Sequence, residues 1–317
     1  MSSLPTGLAA GQLAVVRQSG AVPEGAVPPG LLGALAQVPD PRDPRGIRYP
    51  LAPVLAVVVC ATLAGARSYA AIAEWVADAP PRLRARLGLG GTVPDLVTIW
   101  RVLTAVDPAA LDRAIGAWTS AELAARRAAG RRMVLAVDGK TLRGARTSQD
   151  AAPHLLACLH HGSGAVCAQI AVDGKTNEIT MFSALLDQVG RLDGAVVTAD
   201  ALHAQREHAA YLHGRGAHYL VTVKGNQPGL LRQLRSLPWK DVPPGHTGEG
   251  RGHGRAEKRV VKVVTVTAGL HFPHAAQAIQ VTRRTRRLSG RSHPAFCDPH
   301  VPSMCPGLLI RGQEAHY

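Results

Sequence analysis

The hydrophobic period of this chain changes once, and that change limits what it can fold into. Upstream of the basic run AARRAAGRR (residues 124–132), apolar residues recur at helical spacing. Leu31, Leu32, Leu35 and Val38 make a short helix that stops at Pro39. Leu51–Ala64 is apolar all round and reads as a buried helix. Ser68 can cap a helix running to Ala77, and Asp95 can cap Leu96–Val106, with Leu96, Ile99, Trp100 and Leu103 on one face. Asp107-Pro108 is an N-cap and first-turn pair for a helix to about Arg127. The expectation is an all-α N-terminal domain over residues 29–127. A leader of Gly, Pro and Ala without sustained period (1–28) precedes it.

Downstream the apolar residues come in short runs. Met133–Val137 reads as a buried strand ended by Asp138-Gly139. His154–His161 and Ala165–Val172 form a hairpin pattern around Gly162-Ser163-Gly164. A helical pattern follows over Asn177–Val189, then a strand over Ala195–Ala199 ended by Asp200, and a helix over Gln205–His213. The strand pattern at His218–Val223 is broken by Lys224-Gly225-Asn226-Gln227-Pro228, and a further strand is expected at Val260–Thr267. Three strands followed by alternating helices and strands imply an α/β domain over 131–282, a mixed sheet with helices on its faces. Residues 283–317 have no clear period and read as an atypical tail.

Charge narrows the partners. Lys and Arg number 36 against 22 Asp and Glu, a net charge of +14. Such a surplus favours a polyanion, held by phosphate neutralisation and counterion release. The five cysteines include no C-x-x-C pair and read as reduced, packed thiols; Cys297 and Cys305, with His293 and His300 nearby, match no common zinc module. The N-terminus lacks the pattern of a signal peptide, and Val54–Ala64 is too short to span a bilayer. The expectation is a cytoplasmic protein without a membrane partner. No G-x-S-x-G elbow points to a hydrolase.

Two aspartates carry the chemistry. Asp138 and Asp200 each follow a buried strand, and if those strands are neighbours both carboxylates project from one sheet edge, where ligands bind in open α/β sheets. Carboxylates are hard oxygen donors suited to Mg²⁺ or Mn²⁺. Each Asp could instead only cap a turn. Lys140 and Arg143 follow the first Asp, Lys224 closes a strand that could neighbour the second, and all three suit a phosphate backbone.

In order along the chain stand VDGKTLRG, KTNEI, TADALHAQ, YLVTVKGNQP and GHGRAEKR, behind the segment LLGALAQVPDPRDPRGIRYPLAPVLAVVVCATLAGARSYAAIAEW. Over residues 31–282 this resembles insertion-sequence DDE transposases of the H-repeat-associated protein type, the ISAs group. The resemblance implies a ribonuclease-H-like core and metal-dependent cutting and joining of double-stranded DNA at terminal inverted repeats. It further implies two Mg²⁺ (or Mn²⁺) ions and a homo-oligomer on DNA. Asp138 and Asp200 become the first two acids of the triad, and Arg255 and Arg259 join the DNA-facing groups. The third acid departs from the pattern. The R-x-H-W-x-I-E-N-like helix of related transposases is absent, which leaves Glu257 as the reserve third carboxylate and suggests a C-terminally truncated copy. Two alternatives follow: a catalytically dead DNA-binding remnant, or a metal-dependent nuclease without strand transfer.

Overall fold

The computed structural model describes residues 30–45, 47–126, 132–145, 152–172, 178–252, 255–266, 270–287 and 303–310. The chain divides into two compact units, Met1–Arg191 and Leu192–Tyr317.

In the first unit, the described elements up to Arg126 are all helical: α1 (Leu31–Leu35), α2 (Leu51–Leu63), α3 (Tyr69–Asp78), α4 (Pro81–Arg86), α5 (Leu96–Ala105) and α6 (Pro108–Arg126). Helix α2 buries Leu51 and every residue from Pro53 to Ala61, so the neighbouring helices pack around it. Burying each such Val or Leu contributes about 1.5–3 kcal/mol. The caps work as expected. Ser68 Oγ accepts from Ala71 N–H at 3.1 Å, and Asp95 Oδ1 from Thr98 N–H at 2.7 Å.

Two details depart from the sequence reading. On α5 the buried stripe is Ile99 and Val102, continued by Val106 just beyond the helix, while Leu96 and Trp100 are exposed. Helix α4 was not anticipated, because PRLRAR carries no apolar period. Its Pro81 starts the helix, and the Arg84 guanidinium donates to the carbonyls of Ala77 and Ala79 at 2.7 Å.

The same unit holds β1 (Val134–Thr141), β2 (His154–His160), β3 (Val166–Val172) and α7 (Glu178–Asp187). The three strands form an antiparallel meander, with β2 between β1 and β3. Helix α6 lies on β3. Gly116 permits this approach: a Cβ there would sit 2.6 Å from the Cys167 carbonyl oxygen. Ser120 Oγ donates to that same oxygen at 3.4 Å, and Gln169 Nε2 donates to Asp112 Oδ2 at 3.3 Å.

The second unit contains β4 (Val196–Ala199), α8 (Arg206–Gly214), β5 (His218–Thr222), α9 (Pro228–Arg235), β6 (His246–Gly252), β7 (Arg255–Thr265), β8 (Gln277–Arg287) and β9 (Ser303–Ile310). Its strands are ordered β4-β5-β9-β8-β7-β6. The β4–β5 pair is parallel and the others are antiparallel, so the sheet is mixed. Strands β6, β8 and β9 and helix α9 were not legible in the sequence. Strand β9 falls in the segment that showed no period, pairing Leu309 with both Leu220 and Gln277. The leader, Cys297 and the two histidines near it lie outside the described residues.

Asp112 gives a test of the α6–β3 contact. It is 7% exposed, and its Oδ1 has no hydrogen-bond partner among the described residues. Burial pushes its pKa up to about 7, against the opposing hydrogen bond from Gln169. An unfolded Asp titrates near 3.9. Between about pH 4 and 7 the folded chain therefore keeps a proton that the unfolded chain has released, and stability falls as pH rises through that window. Asp112→Asn is expected to flatten this fall and to be more stable than the parent at pH 8, by roughly a few kcal/mol at most. Urea unfolding midpoints at pH 5 and pH 8 measure it.

Candidate active site

Strand β1 runs through Asp138-Gly139 rather than ending there: it continues to Thr141, with Asp138 opposite Ala157 and Gly139 opposite Leu156. Asp138 is therefore a mid-strand residue, a correction to the strand-end placement expected from sequence. The two-residue period then sorts β1 into faces. Leu135 and Val137 are buried, and Gly139 and Thr141 share their side. Asp138 and Lys140 are exposed on the other. No hydrogen bond or ion pair from the described residues engages the Asp138 carboxylate.

Gly139 has a specific reason to be glycine. It has no positive φ, so the Asp-Gly pair is not a turn. A Cβ at this position would stand 2.4–2.5 Å from the carboxyl atoms of Glu178, the first residue of α7. Glu178 is 5% exposed. Its Oε1 lies 2.5 Å from His154 Nε2, and His154 Nδ1 lies 2.8 Å from Thr141 Oγ1. A carboxylate only accepts, so Nε2 donates to it; in the neutral ring Nδ1 then accepts the Thr141 hydroxyl proton. KTNEI and the His154 strand stand in the sequence only as patterns. Nothing in their spacing announced that His154 and Glu178 meet.

In the second unit Asp200 follows β4 directly, as expected. Its Oδ1 accepts from Leu202 N–H at 2.9 Å and so caps the single 3₁₀ turn Ala201–His203. That turn is held by amides from the KGNQP motif. Asn226 Nδ2 donates to the Ala201 carbonyl at 2.6 Å, and Gln227 Nε2 to the Ala204 carbonyl at 2.9 Å. Gln205 Nε2 adds a bond to the Leu202 carbonyl at 2.9 Å. Two sequence motifs thus meet in one loop pair, which spacing alone did not reveal. Lys224 is exposed at the start of the same loop as Asn226.

Glu257 lies on β7 and is 18% exposed at its side chain, bonded to both Arg259 Nε and Arg283 Nη2. Desolvation works against its charge, but the guanidinium groups of Arg283 and Arg259 outweigh it and hold the carboxyl below its ordinary value. Around it the register sets cations opposite one another: Arg259 faces Arg283, and Lys258 faces Arg284. Lys258 is also paired with Glu249 of β6 at 3.1 Å. Arg143 and Arg255 are placed by their backbones, in the 3₁₀ turn after β1 and at the start of β7; their side chains lie outside the described residues. Among the described residues, no three His, Cys, Asp or Glu side chains gather into a ready-made metal cage. No helix among them is long and apolar enough to cross a membrane.

The Gly139–Glu178 contact makes a quantitative test. Gly139→Ala is expected to cost about 1–3 kcal/mol, because the new methyl must displace a buried, tethered carboxylate. In a Glu178→Ala background the same change should cost much less. Denaturant unfolding of the two single variants and the double variant closes the cycle.

Two family models match this chain. The one described as "Transposase DDE domain" covers residues 129–269, and the one described as "DDE_Tnp_1-associated" covers residues 32–119. The "Putative transposase YncI" of Escherichia coli (strain K12) is 28% identical over 254 residues, 76% of this chain and 98% of its own length. The "Uncharacterized protein in dhlA 3'region" of Xanthobacter autotrophicus is 31% identical over 249 residues, 73% of this chain and 82% of its own length. The "H repeat-associated putative transposase YhhI" of Escherichia coli (strain K12) is 27% identical over 237 residues. The chain spans only 61% of the length of YhhI, and likewise 61% of the YncI of Escherichia coli O157:H7.

Proposed function

Because the chain belongs to the family of transposases with a DDE domain, we propose that it is a DNA transposase in which Asp138 and Asp200 are ligands of Mg²⁺ or Mn²⁺. Its substrate is double-stranded DNA at the terminal inverted repeats of an insertion sequence, with a target duplex as the second partner. The observation that carries this reading is Asp138 itself. It is an exposed carboxylate, unengaged by the described residues, on a strand whose other face buries Leu135 and Val137. It lies within the segment that matches the DDE domain, as does Asp200.

The donor chemistry fits a hard divalent cation. Both residues are carboxylates, and each backbone is held independently: Asp138 by the β1–β2 ladder, Asp200 by its own capped turn. When bound, two such ions stabilise the attacking and leaving oxygens of an in-line phosphoryl transfer. The remaining parts are the chain's own. Lys140 lies on the same side of β1 as Asp138 and offers a cation to a backbone phosphate. Lys224, Arg143, Arg255 and Arg259 are further cations offered to the DNA backbone. The order β1-β2-β3-α7-β4-α8-β5 along the chain supports reading the core as ribonuclease-H-like, behind an all-α N-terminal domain. Assembly as a homo-oligomer on DNA in the cytoplasm completes the reading, since two ends must be joined.

Glu257 favours a second reading. As a third ligand it would have to leave two arginines. Its engagement supports a chain that binds and cuts DNA without joining, or one that only binds. A single assay separates these. With end-labelled inverted-repeat DNA and Mn²⁺, Asp138→Asn and Asp200→Asn are each expected to lose cleavage about a thousandfold, the equivalent of several kcal/mol of metal stabilisation. Binding measured by mobility shift should persist. Cleavage by the parent that survives both substitutions would overturn the metal assignment. Cleavage without joined products would select the nuclease reading.

A further inference from the structure

Glu178 and His154 lie on the face of β1 opposite Asp138, so they are not ligands of anything Asp138 holds. They are nevertheless the buried polar groups next to it along the strand. The residue after Asp138 is Gly139, which has no side chain to pack and the widest backbone freedom of any residue. The Glu178 carboxylate packs so close to Gly139 that a Cβ there would clash with it. Two residues on, Thr141 is tied through His154 to that same carboxylate, and Thr141 and His154 are also direct partners in the β1–β2 register. Stability alone is a poor account of this arrangement. Burying a carboxylate and an imidazole costs desolvation, and an apolar pair of similar volume packs as well or better.

Resting on the metal reading above, we propose that the Thr141–His154–Glu178 chain is a positioning element that fixes the β1 backbone beyond Asp138 and so sets the Asp138 carboxylate for its cation. Glu178 and His154 act through the strand, without touching metal or DNA. Helix α7 supplies the brace from its first residue, so the rigidity of the metal ligand is set by an element on the far side of the sheet.

Mn²⁺ binding to the full chain, followed by electron paramagnetic resonance without DNA or turnover, tests this. Asp138→Asn should abolish or strongly weaken binding; an unchanged affinity there would remove the metal reading and this proposal with it. Glu178→Ala is expected to weaken Mn²⁺ affinity about tenfold, the usual scale for residues that orient a ligand from behind. Glu178→Gln keeps a side-chain oxygen for His154 and should return affinity to within about twofold. Leu185→Ala loosens the same helix from its fully buried face, leaves the hydrogen-bonded chain alone, and should keep parental affinity. Thermal unfolding of each variant establishes that it is folded at the measuring temperature. If Asp138→Asn loses binding while folded Glu178→Ala keeps it, the positioning role is wrong. It is equally wrong if Leu185→Ala weakens affinity as much as Glu178→Ala, since general loosening would then be the cause. Should Glu178→Ala fail to fold, Glu178→Gln and His154→Phe carry the comparison: affinity held by the first and lost by the second supports the proposal, and affinity held by both overturns it.

Discussion

The first unit is organised by a strand that must bury one face and offer the other. Side chains on β1 alternate, so Leu135 and Val137 can reach the core only if Asp138 and Lys140 point away from it. A slip of one residue in the β1–β2 register would put Asp138 into the core and expose Val137. The hydrophobic residues therefore specify where the carboxylate goes, although they never touch it. The same alternation delivers Gly139 to the α7 side, where the absence of a side chain leaves room for Glu178.

Asp200 is held by different means. It follows a strand of only four residues, and no ladder continues beyond it. Its fixity comes from local hydrogen bonds: its own oxygen caps the turn, the Asn226 amide adds a second donor to the Ala201 carbonyl that already takes the Ala204 N–H, and the Gln227 amide donates to the Ala204 carbonyl. Carboxamides suit this role because they donate while carrying no charge that would compete for a cation near the aspartate. One aspartate is thus fixed by sheet pairing backed by a buried polar chain, the other by side chains that satisfy a turn.

What was legible in the sequence follows the range of the interactions involved. Caps and periods are local, so Ser68, Asp95 and Pro108 marked their helices to within a residue or so, and the hairpin around Gly162–Gly164 could be read directly. Asp138 and Asp200 were visible because a carboxylate after an apolar run is unusual. The contacts of His154 with Glu178 and of Asn226 with Ala201 span 24 and 25 residues, and no local rule connects them. Strands β6, β8 and β9 failed for another reason. In them Gly, Arg, Thr and Pro outnumber Val and Ile, so no apolar period marks them, even though β8 buries Ala278 and Gln280 at alternate positions.

Charge on the last strands bears on the partner. Arg259 opposite Arg283 and Lys258 opposite Arg284 are like charges placed directly across a ladder, which destabilises a sheet. Glu257 and Glu249 offset part of that repulsion, Glu257 by bonding to both Arg259 and Arg283 and Glu249 by pairing with Lys258. Both anions are within the ribbon, and the cations around them still outnumber them, in keeping with the +14 of the whole chain. A surface carrying that surplus is most stable when phosphates take the place of the missing anions. Glu257 belongs to that balance whatever else it does: removing its charge would leave Arg259 and Arg283 face to face, so a loss of activity on its substitution could arise from the ribbon as readily as from a metal site.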